Sequence, residues 1–232
     1  AEYGGIVEEL NIVLLSDHGH NLEKTKLSQN IWVYPTNSTN KFLRPIDAIR
    51  IGRGIKCDLI TTQDPFECGL VGVKLAKHHK VPLEVQLHTN PFSPNFSGPL
   101  NIVRKFLMKS ILSKASGVRV VLKSVGEEVQ KRFGIQNVYT LPIFVDRSRI
   151  ESEPKFDLHQ KFGFKYVCLM VSRLTEEKNI GLALDAFKII RRQLPEVGLV
   201  IVGDGIEKFE AQDGVVFVGW QEDLASYYKS AD

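Results

Sequence analysis

The chain has 232 residues, enough for one large domain or two small ones at roughly 100–200 residues each, and its 43% hydrophobic and 25% charged content excludes a disordered chain. No apolar run approaches the ~20 residues a bilayer-spanning helix needs, and Cys57, Cys68 and Cys168 are too few for a disulfide scaffold and lack metal-ligand spacing. A net charge of +3 is too mild to argue for nucleic acid; it suits a pocket for an anionic ligand, weak attraction to an acidic membrane face, or equally a solvated surface.

The chain begins at Ala1 with neither a methionine nor a signal-peptide pattern, and ends at Ser230-Ala231-Asp232 without a stop signal, so a fragment lacking both ends is expected. Ile12–Ser16, Ile31–Tyr34, Leu59–Thr62, Leu83–Leu87 and Val118–Leu122 read as strands. Continuous rather than alternating apolar strands predict a parallel sheet covered on both faces. Between them, Glu67 to His79 reads as a helix with Leu70, Val73, Leu75 and Ala76 to one side, and Ile102, Phe106, Ile111 and Leu112 mark another. Leu141–Asp146 and the charged stretch Arg147–Asp157 break the periodicity and set a domain boundary near residue 152. A second block follows, with strands Val167–Ser172, Leu199–Val202 and Val215–Val218. Asn179 is expected to cap a helix with inner face Ile180, Ala183, Leu184, Phe187 and Ile190, which Pro195 ends, and Glu222–Ser230 forms a last helix. The fold class is α/β, in two domains spanning 1–152 and 153–232.

In open α/β sheets, ligands bind beyond the carboxyl ends of strands. Three such ends stand out. In Ser172–Asn179, Arg173 leaves a strand and Lys178 precedes a helix N-terminus, so two cations and a helix dipole could hold a phosphate or diphosphate. The alternative is a surface loop in which Glu176 and Glu177 neutralise both cations. In Val202-Gly203-Asp204-Gly205 the glycines permit a tight turn and close approach of a ligand, although an ordinary turn fits as well. Lys208 at the third glycine position of G-x-G-x-x-G excludes a dinucleotide fingerprint. His88, between a strand and a Pro/Gly-rich loop, could orient a substrate by hydrogen bonding or be a satisfied structural histidine. His78-His79 reads as a solvated helix end, and no D-x-D is present to hold a metal. Asn37-Ser38-Thr39 and Asn95-Phe96-Ser97 match a glycosylation pattern by accident.

These sites, in this order, resemble the retaining glycosyltransferases of family 4, also called glycosyl transferases group 1, which have the GT-B fold. The matching segments are Val171–Asn179, Leu199–Gly205, Val216–Trp220 and Tyr227–Asp232, with Val85–Thr89 and Leu141–Asp146 earlier in the chain. The resemblance implies two Rossmann-like domains with parallel sheets, the acceptor held mainly by the N-terminal one and a nucleotide-sugar donor mainly by the C-terminal one, which here is truncated. By that resemblance Arg173 and Lys178 hold the donor diphosphate and stabilise charge on it as the glycosidic bond breaks, in place of a metal. Gly203 and Gly205 let the backbone approach the donor, Gly219 and Trp220 lie by the nucleotide base, and His88 orients the transferred sugar. The acceptor would be a saccharide or a lipid-linked glycan. No cofactor beyond the donor and no nucleic acid is implied, and the location is the cytoplasm with peripheral contact at the inner membrane face.

The family's E-x7-E motif would lie beyond Asp232, and its first strand and glycine-rich loop, which Gly4-Gly5 does not match, before the start. The chain by itself is therefore expected to be inactive. Two other readings keep the same site: a GT-B nucleotide-sugar epimerase, for which no carboxylate cluster is visible, and a non-catalytic nucleotide-sugar or partner-binding module. Lys105, Lys109 and Lys114 near Phe106, Leu107 and Ile111 are the best membrane-facing candidate, set against a solvated helix.

Overall fold

The computed structural model describes residues 5–94, 96–151 and 155–232, without the side chains of His20 and Arg149. Gly4, Asn95 and the expected boundary at residues 152–153 lie outside the described residues. The chain divides into two compact units, Ala1–Ile143 and Phe144–Asp232.

The first unit holds two sheets. One has strands β1 (Leu10–Leu14), β2 (Thr25–Ser28) and β3 (Ile31–Pro35), in the order β1-β3-β2, with β1 parallel to β3. The short polar β2 pairs antiparallel to β3, an edge strand with no apolar run to announce it. The second sheet is wholly parallel: β4 (Ile60–Thr62), β5 (Leu83–Leu87), β6 (Gly117–Val120) and β7 (Val138–Thr140), in chain order. Helices α1 (Arg44–Arg53), α2 (Glu67–His79), α3 (Pro99–Leu112) and α4 (Lys123–Phe133) lie between these strands in sequence.

Strand β5 departs from the expectation of strands apolar on both faces. Leu83, Val85 and Leu87 join Met108, Ile111 and Leu112 of α3 and Val125 and Val129 of α4 in one core. Alternation therefore puts Glu84 and Gln86 on the opposite face. The inner face of α2 also differs from the apolar pattern, because glycines form part of it. A Cβ on Gly72 would lie 2.4 Å from Thr62 Cγ2 and 2.9 Å from Leu83 Cδ1, so only hydrogen fits there. Gly69, Val71, Gly72 and Leu75 are buried, while Leu70 is exposed. His79 at the end of α2 is half-buried, 3.0 Å from the Gly52 carbonyl oxygen, rather than solvated.

On α3, Met108, Ile111 and Leu112 are buried. Ile102 and Phe106 are not core residues: Leu100, Ile102, Val103, Phe106 and Leu107 stand exposed, Phe106 at 78%. At 100° per residue Ile102, Val103 and Phe106 fall opposite the centre of the buried arc formed by Met108, Ile111 and Leu112, whereas Leu100 and Leu107 lie within about 40° of Ile111.

The second unit contains α5 (Leu158–Phe162), β8 (Tyr166–Val171), α6 (Ile180–Gln193), β9 (Val197–Val202), β10 (Val215–Gly219) and α7 (Ala225–Lys229). Its sheet is parallel, in the order β10-β9-β8. The central strand β9 is buried along its whole length. Leu199 and Ile201 pack with Ile180, Leu184 and Phe187 of α6, while Val200 and Val202 pack with Leu158, Val167 and Tyr227. Ile190 is exposed, so the inner face of α6 ends at Phe187. Asn179 does not cap α6 through its side chain. It adopts φ 50° and ψ 50°, after a tight turn over Glu176–Lys178, whereas a capping side chain needs an extended backbone to reach the following amides.

Candidate functional site

The carboxyl ends of the three strands in the second unit are tied to one another by backbone hydrogen bonds. Ser172 N donates to Val202 O at 3.0 Å, Leu174 N to Asp204 O at 3.0 Å, and Gly203 N to Gly219 O at 2.8 Å. Gly203 and Gly205 are required by this arrangement. A Cβ on Gly203, at φ +133°, would lie 2.0 Å from Ser172 O, and one on Gly205 would lie 2.1 Å from Leu174 O. The backbone they admit on that side is the loop after β8, which is how two loops run side by side at the strand ends. Gly219, at φ +72°, ends β10 where its register with β9 shifts, turning its carbonyl toward Gly203. Trp220 follows it and is 71% exposed, an unusual position for so large an apolar ring.

Arg173 and Lys178 are brought together, and one carboxylate holds both. Glu177 Oε1 accepts from Arg173 Nη2 at 2.6 Å and lies 3.9 Å from Lys178 Nζ. All three side chains are solvent-accessible. The structure thus shows the neutralised loop, with Glu177 occupying the position between the two cations. In the same loop the buried Thr175 Oγ1 has no hydrogen-bond partner among the described residues.

In the first unit, His88 follows directly after β5 and is half-buried. Its Nε2 lies 3.1 Å from Gln86 Oε1 and 3.1 Å from Gln63 Oε1. Gln86 is buried and sits in a polar ladder across the sheet. Its Nε2 donates to Thr61 Oγ1 at 3.0 Å and to Glu84 Oε1 at 2.7 Å, and its Oε1 accepts from Arg119 Nη1 at 3.1 Å. Tyr139 OH donates to Glu84 Oε2. Burial pushes the Glu84 carboxyl up, but hydrogen bonds from Tyr139, Gln86 and Thr61 and the charge of Arg119 outweigh it and hold Glu84 below its ordinary value. Burial and the bond to Glu84 push Tyr139 up to about 12.

The family model described as Glycosyltransferase Family 4 matches residues 12–149, more than half of the chain, and that described as Glycosyl transferases group 1 matches residues 152–232. The chain belongs to glycosyltransferase family 4. An alpha-monoglucosyldiacylglycerol synthase of Streptococcus pneumoniae is 30% identical over 211 residues, which are 80% of this chain and 47% of that protein. One of the same name from Acholeplasma laidlawii is 24% identical over 200 residues, covering 76% and 50%. The chain spans about half the length of these curated relatives. Among solved structures, Anabaena HepE in complex with UDP-glucose is 18% identical with a TM-score of 0.70, over 96% of this chain and 64% of that one. Such likenesses place the fold among the GT-B α/β structures.

For this family 4 chain, Glu177 was already among the carboxylates expected to neutralise the two cations, and two other features of the sites escape sequence reasoning. The Thr175 hydroxyl looks like any loop threonine in sequence. The ladder of Thr61, Glu84, Gln86, Arg119 and Tyr139 did leave a signal, the alternation of Glu84, Gln86 and His88 with Leu83, Val85 and Leu87. The glycosylation pattern at Asn37 has a structural occupant: Asn37 Nδ2 donates to Leu22 O at 2.6 Å and its Oδ1 accepts from Leu22 N at 3.2 Å, which uses both ends of the amide.

Proposed function

We propose that this chain is part of a retaining hexosyltransferase that moves a sugar from a nucleotide-sugar donor to a lipid acceptor at a membrane surface. The observation that carries this reading is the 30% identity, over 80% of the chain, to a protein named for a glucosylated diacylglycerol. Arg173 and Lys178 hold the donor diphosphate, displacing Glu177. Gly203 and Gly205 keep the loop in place, while Gly219 and Trp220 present the turn and the exposed ring against which the base stacks. His88 takes the role that the family resemblance gives it, orienting the transferred sugar. As the anomeric carbon leaves the diphosphate, an acceptor hydroxyl oxygen bonds to that carbon and passes its proton to the departing phosphate oxygen. The negative charge left on the diphosphate is met by the two cations in place of a metal, which favours the transition state over the ground state.

The exposed apolar side of α3, with Lys105 and Lys109 beside it, is the part of the chain best suited to lie on an anionic lipid surface. Ile111, buried in the core, takes no part in that face, which centres on Phe106. This orientation would put the protein at the inner face of the membrane as a peripheral enzyme.

The test incubates this chain, and any longer gene product containing it, with diacylglycerol vesicles and labelled UDP-, GDP- and ADP-linked hexoses, with and without a chelator. Labelled glycolipid from the longer product is expected with one donor and in the presence of the chelator. Arg173→Ala and Lys178→Ala should each lower kcat/KM by roughly 10²-fold or more. Near-wild-type kinetics for both variants would remove the phosphate assignment, and the absence of glycolipid with every donor would remove the acceptor class.

A further inference from the structure

We infer that Gln86 is a positioning residue for His88: it fixes the neutral imidazole as the Nε2–H tautomer and leaves the Nδ1 lone pair to accept from a hydroxyl of the bound sugar. The inference rests on the placement of His88 at the sugar, proposed above, and adds the chemistry of the contact.

An imidazole nitrogen facing an amide can be donor or acceptor, depending on which end of the amide it meets. Here that end is fixed from outside the histidine. Gln86 bonds on one side to Glu84, whose carboxylate only accepts, at 2.7 Å, and on the other to Arg119, whose guanidinium only donates, at 3.1 Å. The –NH₂ of Gln86 must therefore point to Glu84 and its oxygen to Arg119. That same oxygen is the atom 3.1 Å from His88 Nε2. Two acceptors cannot bond each other, so Nε2 carries the proton. Gln63 has no such constraint and turns its oxygen, also at 3.1 Å, to the same N–H. The neutral ring then has no proton on Nδ1, and among the described residues Nδ1 meets no hydrogen-bonding partner.

The consequence is selective. A lone pair at Nδ1 accepts from a hydroxyl but repels a phosphate or carboxylate oxygen, which has no proton to give. The neutral ring thus favours a hexose with a hydroxyl at that position over a uronic acid with a carboxylate there. The ladder has a second effect: Gln86 is buried in the strand, so the ring is anchored to the sheet rather than to the Pro/Gly-rich loop that follows.

The experiment is a long-range ¹H–¹⁵N correlation spectrum of the ¹⁵N-labelled chain in mildly alkaline buffer, where histidine is neutral. The His88 signals are assigned by their loss in His88→Ala. In the Nε2–H tautomer the downfield, pyridine-type nitrogen is Nδ1, which couples strongly to Hε1 and not to Hδ2. That pattern is expected for the wild-type chain. Gln86→Met removes the fixed acceptor, and the two His88 nitrogen shifts should move toward each other as the tautomers mix, with the other histidines unchanged. A downfield nitrogen coupled to both ring protons in the wild type would overturn the inference without any variant. An unchanged His88 pattern in folded Gln86→Met would do the same for the role of Gln86. If the Nε2–H pattern is found but His88→Ala transfers sugar as well as the wild-type gene product, the placement of His88 at the sugar fails while the tautomer assignment stands.

Discussion

Replacing Glu177 by glutamine separates a working anion site from a self-neutralised loop. The carboxylate lies 2.6 Å from Arg173 and 3.9 Å from Lys178, on side chains that are all exposed to solvent. Exposed ion pairs are worth about 0.2–1 kcal/mol each, so a diphosphate seated between the cations must displace about 0.5–2 kcal/mol of existing interaction. Glutamine keeps the shape and removes the charge. Affinity for a nucleoside diphosphate should therefore rise by roughly 2- to 30-fold, at 1.4 kcal/mol per factor of ten. Because the surface is solvated, the gain should shrink as salt is raised through the range where the Debye length falls from about 10 Å to about 3 Å. The fold should lose no more than those same two exposed pairs are worth, about 2 kcal/mol at most. Titration calorimetry with UDP, GDP and ADP, paired with urea melts of both proteins, reads all three effects. Unchanged or weaker binding of every nucleotide by a folded Glu177→Gln chain would refute the argument, and would mean that no anion takes the place of Glu177 between the two cations.

Three further substitutions probe the frame around the sites. Leu184→Ala empties a position that is 3% exposed between α6 and β9, and should cost about 2–5 kcal/mol in urea unfolding without a specific effect on nucleotide affinity. Gly203→Ala must push apart the two loops whose backbones leave only 2.0 Å for the new Cβ, so it should destabilise by about 1–3 kcal/mol and weaken nucleotide binding; equal stability and binding would show that the loops part freely. Tyr139→Phe tests the ladder by pH. The ordinary tyrosine value is 10.0 and the folded value is about 12, so between them the unfolded chain has lost a proton that the folded chain keeps. Stability is full below the lower value and falls as pH rises toward the upper one. Phenylalanine should flatten that alkaline decline in thermal melts, and an identical decline in both proteins would show that Tyr139 does not carry it.

How much of this was legible in the sequence depends on whether a feature is written in hydrophobicity. Strand β9 was, since every residue from Val197 to Val202 is buried and the run is apolar almost throughout. Helix α2 was legible in extent but not in face, because Gly69 and Gly72 carry no hydrophobic signal although the packing depends on their missing side chains. Strand β2 was not legible: Thr25–Ser28 is a polar edge whose partner is fixed by β3, a tertiary fact. Asn179 shows the limit of local rules. Asparagine favours both helix caps and the left-handed region, and the preceding turn at Glu176–Lys178 selects the second. The site residues were legible as types at strand ends. Glu177 was legible as a partner of the two cations, but the partners of His88 were not, because the Gln86 that holds it reaches Arg119 across a sheet.

Those partners determine what each site can do when nothing is bound. Two cations placed side by side repel each other, and a loop carrying them stays in place at low cost only if a carboxylate sits between them. A neutral imidazole at a strand end exchanges tautomers unless something forces one of them. Glu177 and Gln86 meet these two needs in different ways, and the difference matches the two ligands proposed above. Charge on a diphosphate is strong enough to displace an exposed carboxylate, so Glu177 can be surrendered on binding. A hydroxyl is a weak donor, which could not displace a hydrogen-bonded partner at a profit, so the ladder must leave one lone pair unused instead. On the proposed assignment this accounts for Gln86 being buried with both amide ends committed while Glu177 remains in water. Exchanging the two strategies should fail in both places: a buried partner for Arg173 would hold it against a phosphate, and an exposed partner for His88 would leave its tautomer undecided.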